Sequence, residues 1–253
     1  MKLRDNIKDR ILILDGAMGT MIQGYNLTEK DFRGNLELLQ MLNYQGNNDM
    51  LNLSHPDIIE DIHRRYLEVG ADIISTNTFS AQRISQADYH MESFSRDIAY
   101  AGAKLARKCA DEYSTADKPR YVAGSIGPTN KTCSMSPDVS DPAKRDLTYD
   151  ALFDAYSEQV AAMIEGGIDA VLIETIFDTL NAKVAIDASL SEMKKAGIDL
   201  PIMLSVTITD LSGRTLSGQT LDAFLASVSS YPIFSVGLNC SFGAEQMRPY
   251  LKE

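Results

Sequence analysis

The sequence has few cysteines, few basic residues and no long apolar run, and each shortage excludes a class of protein. Three scattered cysteines in 253 residues predict no disulfide framework and are typical of a reducing compartment. Lys and Arg number 24 against 35 Asp and Glu, and the resulting net charge of −11 opposes binding to nucleic acid or to an anionic membrane. No segment reaches the ~20 apolar residues of a membrane-spanning helix, and residues 1–10 lack the apolar stretch of a signal peptide. We therefore expect a cytoplasmic protein without nucleic-acid or membrane partners.

The sequence does contain the pattern of an α/β protein. Apolar residues make up 44% of the chain and charged residues 23%, as in ordinary globular proteins. Short β-branched runs alternate with longer amphipathic stretches, which is typical of parallel βα units. The predicted strands are Ile11–Leu14, Asp72–Thr76, Arg120–Ile126, Ala170–Ile173, Ile202–Val206 and Ile233–Leu238. The clearest predicted helices are Phe94–Tyr113, Asp146–Glu165, Thr179–Ala196 and Leu221–Ser229.

Polar residues follow nearly every predicted strand directly, as in folds that carry their chemistry at the carboxyl ends of parallel strands. The first loop, residues 15–20, lacks the Gly-x-Gly-x-x-Gly order of a dinucleotide-binding fold. Polar groups from many strands favour a TIM-type (β/α)₈ barrel instead. A barrel needs eight strands and only six are predicted. We therefore expect residues 1–253 to be a single barrel domain, truncated after strand six, with strands seven and eight missing.

Three side chains at the predicted strand ends are candidates for chemistry. Asp15 precedes a Gly-rich turn, where a carboxylate is equally well explained as a cap. Glu174 follows Ala-Val-Leu-Ile, and an acid in that position is costly to bury unless it faces a pocket. Cys240 follows Val-Gly-Leu-Asn, and it is either a small buried side chain or a functional thiol. Cys109 lies on a predicted helix and is interpreted as a packing or surface residue, and Cys133, in a long loop after the third strand, as incidental. The histidines His55, His63 and His90 lie away from the strand ends and are interpreted as structural or exposed.

Several ordered motifs together resemble a known family. They are Asp15-Gly-Ala-Met-Gly-Thr-Met-Ile-Gln23, Gly46-Asn-Asn-Asp-Met-Leu-Asn-Leu-Ser54, Gly70-Ala-Asp-Ile-Ile-Ser-Thr-Asn-Thr-Phe79, Gly124-Ser-Ile-Gly-Pro-Thr129, Glu174-Thr175 and Gly237-Leu-Asn-Cys-Ser241. The chain resembles the homocysteine S-methyltransferase family and, within it, the N-terminal homocysteine-binding module of cobalamin-dependent methionine synthase. The motifs span essentially the whole chain.

The resemblance implies a (β/α)₈ barrel that binds homocysteine and zinc and transfers a methyl group to give methionine. Cys240 matches the first zinc ligand and would be the catalytic residue. The remaining ligands, two adjacent cysteines in the family, are absent from this chain, so this fragment alone is expected to be inactive. Zinc would hold the homocysteine sulfur as a thiolate. The methyl donor would be methylcobalamin, carried on another module of the same longer chain and recharged on a folate-binding module.

The resemblance also implies which residues bind homocysteine. Asp15 and Glu174 match positions that hold the amino group, and backbone amides of the loop Gly16, Ala17, Met18, Gly19 and Thr20 would meet the carboxylate. Asn77 and Asn239 would line the pocket. Two alternatives stay open: a self-contained homocysteine methyltransferase that uses betaine or S-methylmethionine, and a non-catalytic barrel remnant that serves only as a binding surface.

Overall fold

The computed structural model describes residues 3–36, 41–209 and 212–252, which form two compact units. The first unit contains the described residues up to 125 together with Glu158–Ala170, and the second contains Ile126–Ser157 and the described residues from 171 onward. The described helices are α1 Leu3–Asn6, α2 Met18–Gln23, α3 Glu29–Arg33, α4 Leu51–Ser54, α5 Pro56–Glu68, α6 Arg83–Gln86, α7 Ser95–Tyr113, α8 Tyr149–Gly166, α9 Thr179–Ala196, α10 Leu221–Val228 and α11 Ala244–Met247. The described strands are β1 Ile73–Ser75, β2 Tyr121–Ile126, β3 Ala170–Ile176, β4 Ile202–Val206 and β5 Ile233–Leu238. Short 3₁₀ turns cover Asn48–Met50, Ala87–Tyr89, Glu92–Phe94 and Tyr250–Lys252.

In the first unit, β1 pairs in parallel with β2, and helix α5 packs against α7. Every residue of β2 is buried. The buried residues of α5 recur at helical spacing, including Ile58, Ile59, Ile62 and Leu67, so one stripe of the helix enters the core. Helix α7 presents mainly small side chains to that core, which lets its backbone approach its neighbours closely. The sequence prediction had assigned helix α7 but had missed α5.

Residues 11–14 do not form the predicted first strand. They make an isolated parallel bridge, Leu14 to Ile73, and the Ile13 carbonyl accepts the Ile73 N–H at 3.0 Å. The Ile13 N–H donates to the Asp72 carboxylate instead of to a strand, at 2.9 Å. Ile11 and Ile13 are 84% and 55% exposed. The apolar run was therefore wrongly interpreted as a buried strand, because its side chains stay in contact with solvent.

In the second unit, β3, β4 and β5 pair in parallel in chain order. Helix α9 begins and ends where the sequence predicted. The Asp178 carboxylate caps its first turn by accepting the N–H groups of Leu180 and Asn181, at 2.9 and 3.1 Å. Its last turn ends on Gly197, whose φ of +68° favours glycine.

The residues between β2 and α8, numbers 127–148, are held against the start of α9. The Ser134 hydroxyl donates to the Asp178 carboxylate. The Cys133 N–H donates to Asn181 Oδ1 at 2.9 Å, and Asn181 Nδ2 donates to the Lys131 carbonyl at 3.1 Å. Cys133, which the sequence had left as incidental, is therefore a buried part of this connection.

The α/β class with parallel strands is confirmed, while the described residues contain five strands rather than six. The prediction of one domain over residues 1–253 remains a prediction. None of the helices in the described part of the chain is long and apolar enough to cross a bilayer.

Candidate functional site

In the first unit, the Asp15 carboxylate is held at the end of β1. The Ser75 N–H donates to Asp15 Oδ2 at 2.9 Å, and the Ser75 hydroxyl donates to Oδ1 at 2.6 Å. The Asp15 N–H donates in turn to the Ile73 carbonyl at 2.9 Å. The carboxylate is therefore fixed by the neighbouring strand.

The loop after Asp15 leads directly into helix α2. Residues 18–20 form the first turn of that helix, where backbone N–H groups have no acceptor within the helix itself. A Cβ at Gly16 would lie 2.8 Å from the Tyr66 hydroxyl oxygen, so only glycine fits there without movement of the ring. The Tyr66 hydroxyl donates to the Ala17 carbonyl at 3.3 Å. Tyr66 therefore sets the path of the loop from residue 16 to residue 20.

Asn77 is buried and bonded to the segment before α5. Its Nδ2 donates to the Asn48 carbonyl at 2.9 Å and to Asn52 Oδ1 at 3.1 Å. Asn52 Nδ2 returns a hydrogen bond to the Asn77 carbonyl at 2.7 Å. Both donor hydrogens of the Asn77 amide are thus used within the first unit, and its Oδ1 is the atom that could meet a ligand.

The sequence predicted that Glu174 would lie just past the end of a strand. In the second unit it lies inside β3 instead. The register between β3 and β4 shifts between Ile173 and Ile176, so Glu174 and Thr175 form a bulge. A bulge breaks the regular alternation of side chains and turns residues in new directions. Glu174 lines a small cavity of about 10 Å³ whose walls include the apolar side chains of Ile173 and Phe177. The prediction that this acid faces a pocket agrees with its position.

Asn239 connects Glu174 to Cys240 through its side-chain amide. Asn239 Oδ1 accepts the N–H of Thr175 at 3.0 Å and the hydroxyl of Ser205 at 2.8 Å. Its Nδ2 lies 2.8 Å from Thr175 Oγ1, 3.3 Å from Cys240 Sγ and 3.5 Å from Glu174 Oε2. The structure therefore brings together the three predicted site residues of the second unit.

Cys240 is exposed and has a φ of +52°. Its sulfur lies 3.8 Å from the Thr175 hydroxyl oxygen. A catalytic zinc ion usually has three protein ligands. Within the ranges 3–36, 41–209 and 212–252, no group of three or more His, Cys, Asp or Glu side chains is placed to hold a metal ion. The described residues therefore do not fit a complete zinc site, and Cys240 offers a single ligand.

Cys109, Cys133 and His63 are buried. Cys109 is buried on α7, where burial raises the pKa of its thiol to about 11. Burial also raises the pKa of the Cys133 thiol. His63 is fully buried on α5, and burial lowers the pKa of its ring to about 4. Burial of Cys109 and His63 agrees with packing and structural roles for these two residues.

The sequence interpretation gave no role to Ser75, Thr175 or Ser205, which hold the candidate residues in place. Each lies within three residues of a predicted strand end, and this position is the signal that could have found them. Thr175 and Ser75 also stand within quoted motifs. Hydroxyl side chains are frequent in sequences, however, and nothing in the spacing indicated which carboxylate or amide each one would meet.

Parallel βα units with polar side chains near the strand ends are typical of α/β enzymes. The family model of homocysteine S-methyltransferase matches residues 12–253. The chain belongs to the homocysteine S-methyltransferase family.

Solved structures with a similar fold include three forms of the homocysteine methyltransferase MmuM from Escherichia coli. The oxidized form is 21% identical with a TM-score of 0.71, and the match covers 94% of this chain and 76% of MmuM. The metallated form is 20% identical with a TM-score of 0.72, over 96% of this chain and 79% of MmuM. The apo form is 22% identical with a TM-score of 0.66, over 96% and 77%. At this identity the likeness establishes the fold.

Proposed function

We propose that this chain is the homocysteine-binding module of a cobalamin-dependent methionine synthase. The observation that carries the proposal is the set of contacts around Asn239, which joins a carboxylate, Glu174, to a cysteine, Cys240, beside a cavity. Homocysteine has an ammonium group that can pair with the Glu174 carboxylate and a sulfur atom that can lie near Cys240. Family membership supports the choice of substrate.

In this proposal, Glu174 in the second unit accepts hydrogen bonds from the homocysteine ammonium group, and Asn239 lines the pocket. Family membership is the support for assigning Asp15 to the same ammonium group, the N–H groups of Met18, Gly19 and Thr20 to the carboxylate, and Asn77 to the pocket. In the reaction, the homocysteine sulfur loses its proton to solvent and attacks the methyl carbon. The bond between that carbon and the donor breaks as the new S–C bond forms, which gives methionine.

The finer part of the proposal concerns zinc and the methyl donor. Cys240 would be one zinc ligand, and residues outside the described part of this chain would complete the set, because no three His, Cys, Asp or Glu side chains within that part are placed to hold a metal ion. Zinc, when bound, would stabilise the substrate thiolate. The donor would be methylcobalamin on another module, recharged on a folate-binding module. The free cysteines support a reducing compartment, and the cytoplasm is part of the proposal.

Calorimetry with homocysteine and assays of methionine formation test this proposal. The chain is incubated with methylcobalamin, S-methylmethionine or betaine, with Cys240→Ser as the control variant. We expect homocysteine binding without turnover on any donor by the 253 residues alone.

The other outcomes separate the alternatives. Methionine formation from S-methylmethionine or betaine would favour a self-contained homocysteine methyltransferase. Tight zinc binding together with turnover would overturn the idea that ligands are missing. If homocysteine does not bind, the remaining interpretation is a non-catalytic barrel remnant that serves only as a binding surface.

A further inference from the structure

We propose that Thr175 is a positioning residue: its left-handed backbone and its hydroxyl hold the Asn239 amide, and with it the Cys240 sulfur, in one orientation. The inference rests on the proposed function, in which Asn239 and Cys240 belong to the homocysteine site. It assigns a role to a residue that touches neither end of the substrate in that proposal.

The backbone of Thr175 is the first observation. Among the described residues other than glycine, four have positive φ: Asn26, His90, Thr175 and Cys240. Asn and His adopt this conformation more readily than most residues, whereas a β-branched residue such as Thr is a genuine outlier there. Thr175, at φ +57°, and Cys240, at φ +52°, are also in contact with each other. Such conformations persist where the surroundings hold them, and they cluster at functional sites.

The hydrogen bonds of Asn239 explain how Thr175 is held. The Thr175 backbone N–H can only donate, so the Asn239 atom 3.0 Å away must be its carbonyl oxygen. The Asn239 NH₂ group then points at Thr175 Oγ1 and at Cys240 Sγ. Thr175 thus fixes both ends of the amide, one through its backbone and one through its side chain.

The direction of the Thr175 hydroxyl proton follows from these contacts. Since Thr175 Oγ1 accepts a hydrogen bond from Asn239, its own proton is directed elsewhere, and Cys240 Sγ lies 3.8 Å away. Two donors, the Asn239 N–H and the Thr175 O–H, therefore reach the same sulfur. Together they restrict the rotation of the Cys240 side chain about its Cα–Cβ bond.

The backbone of Asn239 is held independently of Thr175. Its carbonyl accepts the hydroxyls of Thr207 and Ser241, at 3.1 and 3.0 Å, and its N–H donates to the Val206 carbonyl. Without the Thr175 hydroxyl, the Asn239 NH₂ group should therefore lose one acceptor, while its Oδ1 keeps the Thr175 N–H and the Ser205 hydroxyl and the surrounding turn survives. Position 175 has two conflicting requirements. Its left-handed backbone favours glycine, whereas its side-chain contacts need a hydroxyl group.

The test compares Thr175→Val, which removes the hydroxyl and keeps the branched shape, with Thr175→Ser, which keeps the hydroxyl. Thr179→Val is the control, because it removes a buried hydroxyl that contacts Gln219 in the same unit. NMR of chains labelled at Asn and Cys measures solvent exchange of the Asn239 amide protons and the Hα–Hβ couplings of Cys240. We expect Thr175→Val to speed the exchange about fivefold or more, as for one lost hydrogen bond, and to average the couplings. Thr175→Ser should restore both, and Thr179→Val should change neither.

A second arm measures the dissociation constant of homocysteine. We expect Thr175→Val to weaken binding about fivefold and Thr175→Ser to restore it. If the chain binds no homocysteine, the proposed function fails while the NMR measurements still decide the role of Thr175. Unchanged Asn239 exchange and unchanged Cys240 couplings in Thr175→Val would overturn the inference, whatever happens to binding.

Thr175→Gly guards against a variant that does not fold. Glycine relieves the left-handed backbone, so we expect its unfolding midpoint to equal or exceed that of the wild type, while the Asn239 and Cys240 signals change as in Thr175→Val. A lower midpoint with unchanged signals would show that Thr175 serves stability alone, and the inference would be wrong.

Discussion

The carboxylate of Glu174 offers the most direct test of a single side chain. Glu174→Gln keeps the shape of the side chain and removes the charge that would face the homocysteine ammonium group. We expect weaker binding by about 1 to 2 kcal/mol, which is roughly five- to thirtyfold in the dissociation constant. Calorimetry measures it, with the exposed Glu245→Gln as the control. An unchanged constant for Glu174→Gln would count against its role.

Because the carboxyl group of Asp49 is buried, we expect its contribution to folding stability to decrease at higher pH. Burial raises the pKa of its carboxyl to about 7, although the N–H of Ser80 and its own N–H favour the charged form. Because the folded-state pKa lies above the unfolded value of 3.8, the stabilisation is complete below pH ~4 and is lost as the pH rises through 7. The contribution of Asp49 to the free energy of unfolding should fall by up to about 4 kcal/mol over this range.

Asp49→Asn should remove that dependence, because an amide oxygen can still accept the Ser80 N–H and does not titrate. Urea unfolding of both proteins between pH 4 and pH 8 measures the difference. Parallel curves for the variant and the wild type would show that Asp49 is not the responsible group.

For His63 we expect the opposite pH dependence, with its contribution to folding stability lost as the pH falls. Its ring is fully buried, and neither nitrogen has a hydrogen-bond partner within the described residues. Burial lowers its pKa to about 4, so its contribution to stability is present above the unfolded pKa of 6.5 and is lost as the pH falls through 4. His63→Leu should abolish this loss of up to about 3 kcal/mol and should not destabilise the protein at pH 7. Thermal unfolding at pH 4.5 and pH 7 tests both points, and a variant that is less stable at pH 7 would contradict the prediction.

Among the helices, α9 depends most on one capping residue. Asp178 is 2% exposed and accepts two N–H groups of the first turn as well as the Ser134 hydroxyl. Asp178→Ala should therefore cost more than an ordinary cap, about 2 kcal/mol or above in the free energy of unfolding. Thr220→Ala, which removes the single capping contact of α10, should cost about 1 kcal/mol. Equal losses in denaturant titrations would show that the contact with Ser134 adds nothing.

The helices and strands predicted correctly are those in which capping residues and apolar runs in the sequence coincide with segments that are buried or half-buried in the structure. Helix α9 has a capping Asp before it and a Gly after it, and β4 and β5 are apolar runs with clear ends, so their bounds were predicted correctly. Residues 11–14 look the same in sequence, but their side chains remain exposed and only a bridge forms. Burial depends on neighbours that are distant in the chain, and this dependence is why periodicity could not separate the two cases.

The candidate site was predicted in its residue types but not in its geometry. Glu174, Asn239 and Cys240 were identified from motifs, and they do meet. The bulge in β3 and the left-handed backbone of Thr175 were not predictable, because β-branched residues disfavour that conformation. The Thr175 N–H donates to Asn239 Oδ1, which also accepts the Ser205 hydroxyl of β4, and both partners lie far along the chain.

For the chain as a whole, exposed apolar edges and net charge together set its tendency to self-associate. Ile11 and Ile13 are mostly exposed, and β5 pairs with β4 alone among the strands of the described ranges. Unpaired edges of this kind are templates for pairing between molecules, and a net charge of −11 keeps molecules apart.

Light scattering should therefore rise as the pH falls from 8 toward the isoelectric point of about 4.8. The double variant Ile11→Lys and Ile13→Lys should suppress this rise in light scattering when the proteins are compared at the same net charge. Val139→Lys, at an exposed position outside these edges, should not suppress it. Equal scattering from the two variants would argue against association through the edge at residues 11–14.

The anchoring of residues 127–148 to helix α9 also has an entropic consequence. Contacts at Lys131, Cys133 and Ser134 divide one long connection into two shorter closures, and the Arg145 side chain closes the second by donating to the Cys133 carbonyl at 3.0 Å. The entropy of closing a loop grows only with the logarithm of its length. Insertions between 135 and 144 should thus change the closure entropy little, while an insertion between 129 and 134 would separate the anchor points and release the whole connection.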